Sequence, residues 1–301
     1  MLDGEQFTAA ALCIGGTAFA ASAQSWFPLL FTHGGDAGLE GYVQMADNAK
    51  LADENEHYRL SVESVLFDES AGTGVISLHL ENKKQDGVKP FTLAHLIDSY
   101  RNKPDITWST LSSCYAEEGQ LDFEVMYGDS GFCGSEFYLD TARSTDNDYY
   151  FEGAFAISSD YRQGEPLRLE ALDPGGTTMR ADGAGTAKTV LAVDLPEFQQ
   201  MPYLTSADGD VTLSQIGIRI RNADMHCTVD EVDKLSVQLR DGSEYVILDE
   251  NADIDRTLYT YGFNSTEDTD RIDTEIAVLA RAFDLDNVQS VTINGEVYPL
   301  S

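Results

Sequence analysis

Two short stretches near the C-terminus constrain this chain most: Lys234-Leu-Ser-Val-Gln-Leu-Arg-Asp-Gly-Ser-Glu-Tyr-Val-Ile-Leu-Asp249 and Val288-Gln-Ser-Val-Thr-Ile-Asn-Gly-Glu-Val-Tyr-Pro-Leu300. Each sets two alternating apolar runs around an Asx-Gly pair, which suits the left-handed dihedrals of a type I′ hairpin turn. Counting outward from Asp241-Gly242 places Val237 opposite Val246 and Leu235 opposite Leu248. Counting from Asn294-Gly295 places Val291 opposite Tyr298. Such a pattern belongs to antiparallel strands and not to helices.

The same style of sequence begins at His57. Stretches rich in Val, Ile, Leu, Tyr and Phe alternate with Gly, Asp and Asn about every ten residues, the spacing of an all-β sandwich. In 57–68 Tyr58, Leu60 and Val62 share one face, and Val65 and Phe67 resume after a slip that reads as a β-bulge. Further strands are expected at 74–82, 121–127, 149–158, 166–172, 187–196 and, as one strand, 210–221. Residues 269–286 fit either a helix, through Ile272, Ile276, Leu279 and Phe283, or a strand. Expected boundaries are an N-terminal segment 1–31, a polar linker 32–56, a first sandwich 57–203 and a second at 204–301.

Phe7 to Ala23 is uncharged, and Ala18-Phe19-Ala20 and Ala21-Ser22-Ala23 resemble small-x-small cleavage sites. Asp3 and Glu5 stand where a signal peptide carries basic residues, and the first Lys or Arg is Lys50. Crossing a bilayer takes about 20 apolar residues, slightly more than this run provides. It admits three readings: a cleaved signal peptide, a membrane-crossing segment whose basic front lies upstream of Met1, or a soluble helix. Under the first two, residues 33–301 lie outside the cytoplasm, and an uncleaved segment 7–23 makes the membrane a partner.

With 52 acidic against 19 basic residues the net charge is −33. Such a polyanion repels phosphate backbones, so no nucleic-acid partner is expected. Of the four cysteines, Cys114 and Cys133 flank one loop-rich stretch and are candidates for a disulfide if the chain is exported. Two reduced thiols are the alternative. Closing that loop would stabilise the fold by about 3 kcal/mol on the chain-entropy model.

Motifs for chemistry are weak. Gly128-Asp-Ser-Gly131 resembles the nucleophile tetrapeptide of trypsin-like proteases, but Phe132-Cys133 follows it and no histidine has the required setting, so a turn is expected. Residues 183–189 lack two glycines of a phosphate loop, at Asp182 and Ala187. Asp249, Asn251, Asp253 and Asp255 suggest calcium, yet Ile254 and Thr260 replace the Gly and Glu of an EF-hand loop. Scattered histidines give no zinc spacing. Trp108 and the tyrosines could stack on sugars. No catalytic residue, metal or cofactor is assigned.

The apolar 9–22, followed by 41–82 and the two C-terminal hairpins, is similar to a group of Gram-positive, clostridial membrane proteins. Their extracytoplasmic part is a domain of unknown function found in anti-sigma-factor-like proteins. The resemblance extends over most of the chain from Thr8. It implies two immunoglobulin-like sandwiches in tandem after an N-terminal apolar helix, outside the membrane and without catalytic residues. Relatives in that group often add a short cytoplasmic segment, and some restrain a sigma factor. No cytoplasmic portion stands before the apolar run here, so sigma-factor binding is not expected of these 301 residues. The expected function is a non-enzymatic sensory or regulatory ectodomain of an anti-sigma-like cell-envelope protein. The alternative is a secreted or surface module that binds a glycan or a cell-envelope protein.

Overall fold

The computed structural model describes residues 26–33, 38–45, 51–83, 93–102, 121–128, 131–157, 161–179, 185–222, 232–249, 251–252, 254–255, 257–264 and 273–301. The described chain is predominantly β. In order its strands are β1 (Gln44–Met45), β2 (Ala52–Glu54), β3 (Tyr58–Asp68), β4 (Thr73–Asn82), β5 (Asp122–Tyr127), β6 (Gly131–Phe132), β7 (Gly134–Leu139), β8 (Asp148–Ala156), β9 (Leu167–Met179) and β10 (Gly185–Asp194). There follow β11 (Tyr203–Thr205), β12 (Val211–Ser214), β13 (Gly217–Asn222), β14 (Lys234–Leu239), β15 (Glu244–Asp249), β16 (Ile254–Asp255), β17 (Thr257–Asn264), β18 (Asp273–Leu279), β19 (Val288–Ile293) and β20 (Glu296–Pro299). One short helix, α1 (Leu93–Asn102), buries Leu96 in the first core.

Among the described residues all pairings are antiparallel and form four sheets. Sheet 1 runs β1-β3-β4-β8-β7, with β2 also on β3; sheet 2 runs β10-β9-β5-β6. Sheet 3 runs β11-β12-β13-β18-β17 and sheet 4 runs β16-β15-β14-β19-β20. Leu60, Val62, Val65 and Phe67 of β3 meet Phe123, Val125 and Leu169 of sheet 2 in the first core. Val211, Ile218 and Leu279 meet Val237, Ile247 and Val291 in the second. Alternation within each strand supplies both faces, because successive side chains point to opposite sides.

A third core joins the two sandwich-like pairs. Leu66, Val75 and Ala154, on the outer face of sheet 1, pack with Ile216, Val278 and Ala282, and the N-terminal Phe27, Leu30 and Phe31 lie among them. The layers therefore run sheet 2, sheet 1, sheet 3, sheet 4. Sheet 1 is covered on both faces there, so Val65, Leu66 and Phe67 are all buried in succession.

The expected bulge in β3 lies between Val62 and Ser64. The Asn294-Gly295 turn has φ of 48° and 88° and sets Val291 opposite Tyr298, as the sequence predicts. Asp241-Gly242 differs. Gly242 has φ 89° but Asp241 is not left-handed. Gly242 N–H donates to Leu239 O at 3.0 Å and Leu239 N–H to Ser243 O at 2.8 Å, which makes a three-residue loop. The longer loop slides the register by one, so Val237 faces Tyr245 and not Val246. A bulge after Leu235 slides it back, so Leu235 faces Leu248 as expected.

The single strand expected over 210–221 is two strands, β12 and β13. The Ser214 hydroxyl accepts the Gly217 N–H at 3.0 Å and holds the turn between them. The ambiguous 269–286 contains strand β18. Within the expected linker 32–56, β1 and β2 pair with β3. The expected apolar helix at 7–23 lies outside the described residues, and no helix among the described residues is long and apolar enough to cross a membrane.

Candidate functional site

The last residues of β3 point three ways. Phe67 enters the first core, Asp68 faces sheet 3, and Glu69 opens the turn to β4. In that turn Gly72, at φ 74°, returns its N–H to Asp68 O at 2.8 Å. Its Cβ would press on Ile157 and Ile276, one from each pair of sheets, and its positive φ would strain any other residue.

Glu69 lines a cleft of about 510 Å³. One wall is the loop 161–166 between β8 and β9. Gly164 N–H donates to Glu69 Oε1 at 2.6 Å, and Tyr161 hydroxyl lies 3.0 Å from the same oxygen. The Arg162 N–H donates to Glu165 Oε2 at 3.3 Å. The opposite wall is the connector between the two sheet pairs, which includes Pro196, Glu197 and Phe198. At the base the Phe67 ring meets Phe198 edge-on at 5.4 Å and Tyr161 at 6.1 Å. Burial first, then Glu69, pushes the Tyr161 phenol up, so it remains a neutral donor. Carboxylates at 69, 165 and 197 line the cleft, and among the described residues that line it there is no Lys, Arg or His; Arg162 belongs to the wall loop but is not part of the lining.

One residue away, Asp68 is fully buried where the two sheet pairs meet. Its Oδ1 accepts Ser70 N–H at 3.0 Å, whereas Oδ2 has no hydrogen-bond partner. Burial pushes this carboxyl up, against the pull of the Ser214 hydroxyl, the turn amides of Ser70 and Ala71, and Arg219. Arg219 is pulled down, mainly by burial and then by Arg221. Thr73 packs on Gly217, leaving no room there for a Cβ.

The segment 26–33 completes this junction. The Leu29 and Leu30 N–H groups donate to Glu152 Oε2 on β8, at 2.9 and 3.1 Å, and His33 N–H donates to Ala280 O at 3.1 Å. Glu152 is 4% exposed, and burial pushes its carboxyl up to about 7 despite those two donors. Beside it, Asp140 adds to the rise and Arg143 opposes it. Arg143 in turn forks onto Glu63, at 2.9 Å to Oε1, and lies 4.0 Å over the Tyr150 ring.

The sequence-predicted candidates lie elsewhere. Cys133 is 2% exposed, next to β6, and burial raises its thiol pKa. It makes no disulfide among the described residues, and Cys114 lies outside them. β5 and β6, around the Gly128-Asp-Ser-Gly131 tetrapeptide, pair antiparallel; Asp129 and Ser130, on which the expected turn falls, are outside the described residues. Gly185 to Thr189 of the phosphate-loop-like stretch belongs to β10, paired with β9. Asp249 Oδ1 accepts Asn251 N–H at 3.1 Å, and Asp253 is outside the described residues. Among the described residues no group of three or more His, Cys, Asp or Glu could hold a metal ion. Trp108 also lies outside them. The cleft itself carries no motif; its only sequence trace is acid beside aromatic or proline, at Phe67-Asp-Glu69, Glu165-Pro166 and Pro196-Glu-Phe198.

Fold and cleft together define an all-β protein of stacked antiparallel sheets with an acidic, aromatic-floored cleft beside its junction. No family model, curated protein or solved structure matches the chain.

Proposed function

We propose that the chain is a non-enzymatic, extracytoplasmic ectodomain of two immunoglobulin-like sandwiches in tandem, the sensory or regulatory part of an anti-sigma-like cell-envelope protein. The observation that carries this reading is the position of Trp26–His33. Trp26 follows Ala23, the end of the uncharged run, by three positions. Phe27, Leu30 and Phe31 are nonetheless buried between both sheet pairs. A shift of one sandwich against the other bears directly on the chain next to the apolar segment. Asp68, the last residue of β3, and Glu69, the first of the turn that follows, join that junction to the cleft through adjacent positions of the chain.

Protease treatment of intact protoplasts, with a C-terminal epitope on the full chain, tests the location. The epitope is expected to be lost without lysis; complete protection would overturn the reading. Transcription of sigma-dependent promoters should then change when residues 33–301 are deleted, and an unchanged profile argues against a regulatory role. A second reading, a ligand-binding surface module, is favoured by the cleft.

A further inference from the structure

We propose that the cleft between the 161–166 loop and the 195–200 connector binds a small organic cation, an ammonium group carried on an apolar body. Three features of the cleft converge on this chemistry, and none depends on where in the cell the protein resides. The first is uncompensated charge. Glu69, Glu165 and Glu197 share one concavity, and its described lining includes no basic side chain, Arg162 of the 161–166 loop standing outside that lining, so a cation entering it meets a locally negative field. The second is preorganisation. Gly164 N–H and Tyr161 hydroxyl both engage Glu69 Oε1, which fixes that carboxylate and leaves Oε2 without a partner among the described residues. Glu165 is likewise held through one oxygen by the Arg162 amide.

The third feature is the aromatic floor and rim. Phe67 is buried beneath, and Tyr161 and Phe198 stand partly exposed at either side. Aromatic rings attract alkylammonium groups through their quadrupole while also covering the methyl groups. A bare metal ion would gain little from those rings. A neutral sugar could bond the amides of Gln199 and Gln200 but would leave the charge of the three carboxylates unmatched. The volume, about 510 Å³, suits a small molecule.

Calorimetric titration of the full chain with choline at low ionic strength tests the proposal. Saturable binding with a dissociation constant of about 1 mM or tighter is expected. The uncharged carbon isostere, with a quaternary carbon in place of nitrogen, should bind at least ~10-fold more weakly. Glu165→Gln with Glu197→Gln should weaken choline by a similar factor, as should Phe198→Leu. Glu165 and Glu197 are surface groups, and unchanged thermal melting verifies that those variants fold. Glu296→Gln, on the remote β20, should bind as the parent does. Absent binding, equal binding of the isostere, unchanged affinity in the folded cleft variants, or preferential binding of an oligosaccharide would each overturn the proposal.

Discussion

Glu152 accepts the N–H of Leu30 at 3.1 Å across 122 positions of sequence, and with it the N–H of Leu29 at 2.9 Å. One carboxylate oxygen thus ties the N-terminal segment to β8, an interior strand of a sheet whose other face is the first core. An anion buried this deeply is costly, and the two amides offset only part of that cost.

The pH dependence of stability follows from that balance. In the unfolded chain Glu152 titrates near its ordinary value of 4.5, and in the folded chain near about 7. Between those values the folded state holds more protons, so stability falls as pH rises through that window and levels off above it. The contribution is about 3 kcal/mol. Glu152→Gln keeps an acceptor oxygen for both amides and should remove this slope, gaining stability at pH 8. Denaturant melts of both proteins from pH 4 to 8 check it; parallel curves would refute the assignment.

Glu152→Ala removes the acceptor altogether and leaves two amides unsatisfied. A loss of about 2–4 kcal/mol is expected, together with faster amide exchange at Leu29 and Leu30. Exchange unchanged from the parent would show that the segment is held by its apolar side chains alone.

Gly217→Ala should act across the junction. A Cβ at this position would collide with Thr73, whose Cγ2 would lie at 2.6 Å, and backbone on both sides leaves little room to yield. We expect about 1–3 kcal/mol of destabilisation, with new protease sensitivity in the connector 195–202. Gly164→Ala meets no neighbour within 4 Å and is strained only by its φ of 83°, so it should cost about 1 kcal/mol or less.

The two C-terminal turns should respond differently to alanine. Asn294 is left-handed at φ 48°, and its Oδ1 accepts Lys234 N–H at 3.0 Å. Asn294→Ala should therefore cost about 1–2 kcal/mol, while Asn294→Gly should recover the backbone part. Asp241 is not left-handed, so Asp241→Gly should not recover what Asp241→Ala loses. Chemical denaturation of the four variants separates these cases.

Cys133 should resist iodoacetamide in the native protein, because burial excludes the reagent and disfavours the thiolate. If instead the exported chain bonds Cys133 to Cys114, denatured protein should label at Cys133 only after reduction. Recovery of both as free thiols by non-reducing peptide mapping would count against that pair.

Local pattern made the strands legible. Alternation and Asx-Gly pairs gave β3, β14, β15, β19 and β20 nearly residue for residue, because their apolar runs are short and set off by tight turns. Register between β14 and β15 was only partly legible. Two irregularities of opposite sense cancel at Leu235 and Leu248, and the dihedral of Asp241 that separates the two turn types is not written in its side chain. The break at Ser214–Gly217 leaves no mark in the sequence, because Ile216 and Ile218 continue an apolar rhythm across it. The cleft was not legible at all. Its carboxylates come from positions 69, 165 and 197, nearly 130 residues apart, and only the meeting of a strand end, a loop and a connector brings them together.

The connector 195–202 is the natural place to draw a boundary along the sequence, yet it is no fracture line in the molecule. Leu66 and Val75 on one side, Val278 and Ala282 on the other, and Phe27 and Phe31 between them form one interior that three separate stretches of chain must fill together. Neither half can be lifted out with a finished surface. A truncation at the connector would bare the same apolar patch on both products, and a nick there would leave two pieces still clasped.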